Sequence, residues 1–217
     1  MHLLPPPRDL WVFITASLVL LFIPGPAVLY IVARSVDRGR KAGMASACGI
    51  ATGGLSHVLA ATFGLSALLL SSTLAYSAVK FAGAAYLVYL GIRKLRERPA
   101  AEGVQHAQPA SLRRIYAQAI LVQVLNPKSA LFFFAFLPQF VSSARGPVIP
   151  QFLALGLLFA AMGLTSDSLW ALTAGSAGAW VQRNPTFLRH QQYVSGTVYI
   201  GLGLAAAASG PRLAAHR

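Results

Sequence analysis

The sequence predicts an all-α membrane protein of six transmembrane helices, arranged as two inverted three-helix halves with helices one and four broken. Three observations carry that expectation. The 217 residues are 56% hydrophobic and 11% charged with a positive mean hydropathy, a balance that soluble domains do not show. The apolar residues fall into six stretches, each about long enough to cross a bilayer. The first and fourth stretches carry a proline-bearing break near the middle, Pro24-Gly25-Pro26 and Asn126-Pro127-Lys128.

Span one covers approximately residues 10–33. Its upstream charges, Arg8 and Asp9, cancel, and apolar chain continues past Pro26, so it reads as a retained helix and not as a cleaved leader. Span two, about 43–70, has a face of small residues at four-residue spacing: Ala45, Cys48 or Gly49, then Gly53, with Gly54 beside it and His57 at the end. Helices approach closely along such a face, so packing is its expected use, Cys48 included. Span three covers about 74–92, and residues 93–114 mix Pro, Ala, Gln and charge as a polar linker. Spans four, five and six follow at about 115–141, 150–180 and 193–210, the fifth long enough to be tilted or broken near Gly175 and Gly178. The chain is thus one membrane domain, its halves about 10–92 and 115–210.

Orientation follows from Lys and Arg. Twelve lie in the connections after spans one, three and five, from Arg34 to Lys41, Arg93 to Arg114, and at Arg183 and Arg189; five lie on the other side, Arg8, Lys80, Arg145, Arg212 and Arg217. The richer side is cytoplasmic, which places both termini outside. Three spans per half make the halves antiparallel, and the two breaks then occupy corresponding positions of an inverted repeat. Gly83-Ala84-Ala85-Tyr86 and Gly196-Thr197-Val198-Tyr199, early in spans three and six, are a fainter echo. Each proline removes a backbone donor and frees carbonyls that lipid cannot satisfy. Paired breaks of this kind point to a carrier with a midplane site; the competing reading is that both prolines merely kink structural helices.

Ionisable groups inside spans are costly, on the order of 3 kcal/mol on insertion scales, and face a cavity or a partner. Two qualify, Lys128 beside the second break and Asp167 in span five, both near mid-depth. A structural ion pair and a substrate or proton site both fit them. His57 is open in the same way, as a satisfied core imidazole or a proton relay. Basic residues cluster between apolar runs and form no stripe, which argues against nucleic acid. One cysteine excludes an intrachain disulfide and a multi-cysteine metal site. No nucleophile elbow, zinc-protease pattern, P-loop or carboxylate pair is present, so an enzyme is not expected, nor a cofactor or metal.

Several strings together resemble the LysE/RhtB family of bacterial amino-acid exporters: Pro24-Gly25-Pro26 with Arg34-Ser35 and Gly39-Arg40; Gly53 to His57; Lys80 to Leu87 with Leu90-Gly91; Leu125 to Lys128; and Phe136-Leu137-Pro138-Gln139-Phe140. They span most of the chain in the family's order, and the neutral, homoserine/threonine-like branch is the nearer. The resemblance implies a multi-pass protein of the bacterial inner membrane that expels amino acids against proton entry, with Asp167 where such exporters carry an intramembrane aspartate. The expected site is Pro24, Gly25, Pro26, His57, Asn126, Pro127, Lys128 and Asp167. The expected partners are an amino-acid substrate, protons and the bilayer, with association into a homo-oligomer left open. A carrier or channel for another small solute, or a membrane scaffold, is the alternative.

Overall fold

The computed structural model describes residues 3–67, 73–96, 111–174 and 185–208, all of them helical or in short connections, with no strand among the described residues. Helix α1 (Pro7–Phe22) and α2 (Pro26–Arg38) are the two pieces of span one, bent by 48° at the break. Helix α3 (Arg40–Leu59) runs on as a π-helical stretch, Ala60–Leu65. Helix α4 is Thr73–Arg96. Helices α5 (Leu112–Val124) and α6 (Pro127–Leu131) are the pieces of span four; α6 continues as a π-helical stretch, Phe132–Phe136, and a 3₁₀ turn, Leu137–Phe140, the whole bent by 44° from α5. Helix α7 is Val148–Thr173 and α8 is Pro185–Ala208.

Among the described residues, two helices, Arg40–Leu65 and Val148–Thr173, are long and apolar enough to cross a membrane, and each bent pair passes the same test as a broken span or a re-entrant loop. Helices α4 and α8 stand where spans three and six are expected. Helical structure outruns the apolar stretches that hydropathy detects: span one reaches Arg38, span two begins at Arg40, and α8 begins at Pro185, eight residues ahead of the expected start. Arg, Lys and Gln are good helix formers, so polar chain beyond an apolar stretch stays helical. The connection expected after span one shrinks to Gly39, whose φ of 79° favours glycine and reverses the chain in a single residue. Gly175 and Gly178, the linker residues 97–110 and the last nine residues lie outside the described residues.

Contacts fix the helix directions. Gly49 and Gly53 of α3 lie against the backbone of Tyr116 and Ile120 in α5, so α3 and α5 run the same way. A β-carbon on Gly53 would sit 2.7 Å from the Ile120 carbonyl oxygen, closer than any side chain tolerates. Small residues are what allow this approach, and in a bilayer, where lipid is as apolar as leucine, close van der Waals packing of this kind holds helices together. Gly91 of α4 meets Gly196 and Ile200 of α8, antiparallel. Gly156 of α7 meets Val58 of α3, and Gly43 meets Ala171, also antiparallel. Cys48 breaks the expectation for the small face: it is exposed on the outer side of α3. Successive residues on a helix are about 100° apart, so Cys48 is turned away from the stripe that Gly49 and Gly53 share.

The main core gathers Phe13 and Leu20 of α1, Val58 and Leu65 of the α3 element, Phe132, Phe133 and Phe136 beyond α6, and Phe152, Leu155 and Phe159 of α7. Its rings interlock: Phe132 stacks on Phe159 with centroids 4.0 Å apart, and Phe13 meets Phe140 edge-on at 5.3 Å. This aromatic block fills the Pro7 end of the bundle. The two π-helical stretches both contribute to it, and in each the backbone hydrogen bonds reach one residue further along the chain than in an α-helix.

Candidate functional site

The two breaks face each other across the middle of the bundle, with α1–α2 antiparallel to α5–α6. Proline at 24 and 26 deprives the chain of donors, and α1 ends at Phe22 with Ile23 extended beyond it. The freed Ile23 carbonyl accepts a 2.6 Å hydrogen bond from Lys128 Nζ, so the lysine of one break caps the helix end created by the other. A cation is the favoured partner for a helix carboxyl end. Gly25 makes room for it: a β-carbon there would lie 3.2 Å from Lys128 Cδ.

The second break is organised by amides. Asn126 caps α6, its Oδ1 accepting from the Lys128 backbone N–H at 3.1 Å, while its Nδ2 donates to Gln123 Oε1 at 3.0 Å. Gln123 Nε2 donates to Ser129 Oγ at 2.9 Å, bridging the break from α5 to α6. In a continuous helix the Gln123 carbonyl would accept from residue 127, but Pro127 has no N–H. The Asn126 N–H takes that place at 3.0 Å, and His57 Nε2 adds a second bond, donating to the Gln123 carbonyl oxygen at 2.9 Å, while the imidazole stacks on Phe133 with centroids 5.9 Å apart. A carbonyl oxygen only accepts, which sets the proton on Nε2.

Between the breaks lies a cavity with about 50 Å³ open to water-sized molecules. That is room for a few waters. Its polar wall is made by Gly25, Gln123, Asn126, Lys128, Ser129 and Asp167, and its apolar wall includes Leu20, Phe133, Phe159 and Leu164. Asp167 is buried, at 7% exposure, with no hydrogen-bond partner and no ion-pair nitrogen within 4.0 Å among the described residues. The first turn of α2 also opens here through Ala27 and Val28, and its N-cap Gly25 supplies no side-chain cap, unlike Asn126 at α6.

Four of the eight expected residues, Gly25, Asn126, Lys128 and Asp167, therefore line one cavity. Pro24, Pro26 and Pro127 shape the breaks from outside it, and His57 stands behind the wall as a backbone clamp. Lys128 and Asp167 share the cavity without forming the close ion pair that the sequence left open. Gln123 and Ser129 escaped the sequence reading. The available signal was an amide within an apolar span, three residues ahead of Asn126 and six ahead of Ser129.

A family model described as LysE type translocator matches residues 18–210. The chain is 30% identical over 191 residues to a homoserine/homoserine lactone efflux protein of Salmonella typhimurium, covering 88% of this chain and 92% of that protein. It is 29% identical over 203 residues to an uncharacterised membrane protein of Pseudomonas aeruginosa, covering 90% and 93%. It is also 29% identical over 132 residues to a leucine efflux protein of Salmonella typhimurium, covering 60% and 62%. No solved structure matches the chain.

Proposed function

Because the chain belongs to the LysE type translocator family, we propose that it exports small neutral amino acids across the bacterial inner membrane in exchange for protons, through six spans with both termini outside. Relatives named for homoserine and leucine efflux support the substrate class. The observation that carries the mechanism is the cavity wall itself, where an unpartnered carboxylate and an uncapped helix amino end face one space. A zwitterionic amino acid needs both. Its carboxylate suits the partial positive charge at the start of α2, and its ammonium suits Asp167.

Asp167 is also the group that exchanges a proton. Deprotonated, it holds the substrate ammonium; protonated from outside, it loses that attraction and the substrate leaves. The membrane potential supplies about 2.3 kcal/mol per charge per 100 mV, so one entering proton sustains a substantial outward gradient of a neutral solute. Lys128 works differently from a salt-bridge partner: its bond to Ile23 keeps the break open and its charge near Asp167. The two breaks, in oppositely directed spans, support alternating access about a central site.

The test is an efflux screen. Cells expressing the chain are challenged with a panel of amino acids and dipeptides, and internal pools are followed over time. Saturable, proton-dependent depletion of a neutral amino acid is expected. Unsaturable flux indifferent to a proton gradient would replace the exporter with a channel, and unchanged pools for every compound would remove amino acids as cargo.

A further inference from the structure

Between the cavity and the Gly39 end of the bundle, α2 is tied to α5 by a compact polar cluster. Tyr30 Oη is 3.1 Å from the Ile115 carbonyl oxygen and 3.2 Å from Gln118 Oε1, so its single proton is shared between two acceptors. Arg34 Nη2 donates to the same Gln118 Oε1 at 3.0 Å, and its guanidinium lies 5.0 Å from the centre of the Tyr30 ring. Arg34 Nη1 is shielded from solvent with no hydrogen-bond partner among the described residues. Across the cavity, toward the Pro7 end and beyond the Lys128–Ile23 bond, the other pieces of the same two broken spans meet through rings, Phe13 against Phe132 and Phe140.

We propose that Tyr30, Arg34 and Gln118 are the cytoplasmic gate of the cavity, and that Arg34 is a loading site at which the carboxylate of the incoming substrate takes the place of Gln118. This rests on the exporter reading and its orientation. The cluster joins the inner pieces of the two helices whose breaks form the site, so no path from the Gly39 end between α2 and α5 opens until it parts. Its chemistry is that of a replaceable bond. The Gln118 amide oxygen is a neutral acceptor that serves one guanidinium nitrogen and leaves Nη1 unmet. A carboxylate matches the guanidinium fork with two charge-assisted bonds, so it outcompetes an amide once it reaches the mouth. The two ends differ in kind: parting the inner contact exposes groups that water satisfies, whereas parting the outer one exposes phenyl rings. The inner side therefore yields to a ligand and the outer side does not.

The experiment places a single cysteine on the cavity wall, Ala51→Cys in a Cys48→Ala background, and follows its labelling by a membrane-impermeant thiol reagent in inside-out vesicles. Gln118→Ala should raise the labelling rate about tenfold, the size expected when one interhelical bond holding a two-state contact is lost. Gln118→Glu, which gives Arg34 a permanent carboxylate, should lower it below the parent. Tyr30→Phe, which keeps the ring and loses the hydroxyl, gives an intermediate rise and serves if Gln118→Ala does not fold. L-homoserine or L-leucine should accelerate labelling of the parent, leucinamide should not, and Arg34→Lys should lose the acceleration. Equal rates in the parent and the Tyr30 and Gln118 variants would overturn the gate, and equal acceleration by leucine and leucinamide would overturn the carboxylate key. Labelling reports opening whether or not net export occurs, so an inert efflux screen with rates that follow the Gln118 series would sink the exporter reading and leave the gate standing.

Discussion

Lys128 Nζ donates to the carbonyl oxygen of Ile23 over 2.6 Å, so the residue that follows the second break closes the helix end left open by the first. The bonded residues are 105 apart in sequence, and their bond makes the two interruptions one structural unit. Removing either partner leaves the other group buried without its bond, and that gives the first measurable expectation.

Lys128→Met keeps an unbranched apolar stem and removes the ammonium. A hydrogen bond to a charged group contributes about 1.5–3 kcal/mol, so the variant should unfold at a clearly lower temperature in detergent than the parent. Lys128→Arg, which restores a cationic donor, should recover part of the loss. An unchanged midpoint for Lys128→Met would show that the bond contributes nothing.

Asp167→Asn removes the one group of the cavity wall proposed to exchange a proton. The single variant and the double variant with Lys128→Gln should both reach the membrane, fail to drive substrate uphill under an imposed pH gradient, and still exchange labelled for unlabelled substrate in proteoliposomes. Full gradient-driven transport by the double variant would reduce the two residues to mutual neutralisation.

Gly25→Leu should insert normally, because leucine partitions well into the bilayer, yet abolish transport. The side chain would enter space held by the Lys128 stem, 3.2 Å from the position of a new β-carbon. Gly25→Ala should retain part of the activity. Normal efflux from a well-expressed leucine variant would leave the break as a kink and nothing more.

Gly53 and Gly64 make a matched pair on one helical element. A β-carbon at Gly53 collides with the α5 backbone, and one at Gly64 meets nothing within 4 Å. Gly53→Val should cost about 1–3 kcal/mol or prevent folding, and Gly64→Val should be silent. Fluorescence size-exclusion profiles of the two side by side decide it.

The proposed orientation, read from the charge count, puts residues 93–114 on the cytoplasmic side. In a Cys48→Ala background, a cysteine at Gln105 should resist impermeant thiol reagents in intact cells while one at Ala215 reacts. Strong labelling at 105 in sealed cells would invert the orientation.

The breaks were legible because proline chemistry is local: Pro24, Pro26 and Pro127 each announce a missing N–H whatever the surroundings. Lys128 and Asp167 were legible because charge within an apolar span is conspicuous. What they bond to was not. The Ile23 carbonyl carries no side-chain signature, so sequence invites pairing Lys128 with the nearest carboxylate, whereas its hydrogen bond goes to the backbone. His57 was ambiguous for the same reason, its partner being a backbone carbonyl, that of Gln123. Helix ends were misjudged wherever amphipathic chain such as Arg34 to Arg38 or Arg189 to Gln192 continues a helix beyond its apolar part. The outward-facing Cys48 shows that small residues at nearly the right spacing do not all share one face.

The single-residue reversal at Gly39 decides how the molecule divides into parts. Ser35 packs where a side chain on Gly43 would go, and Gly39 leaves no slack between α2 and α3, so these two helices form one stiff hairpin. That hairpin is seated on the α5 backbone through Gly49 and Gly53. The same hairpin is held on its other side by α7, through Gly43 against Ala171 and Val58 against Gly156, so α2, α3, α5 and α7 pack as one body around the breaks. The interruptions of regular helix thus lie in the middle of two spans, while the join between spans one and two is one residue long and tight.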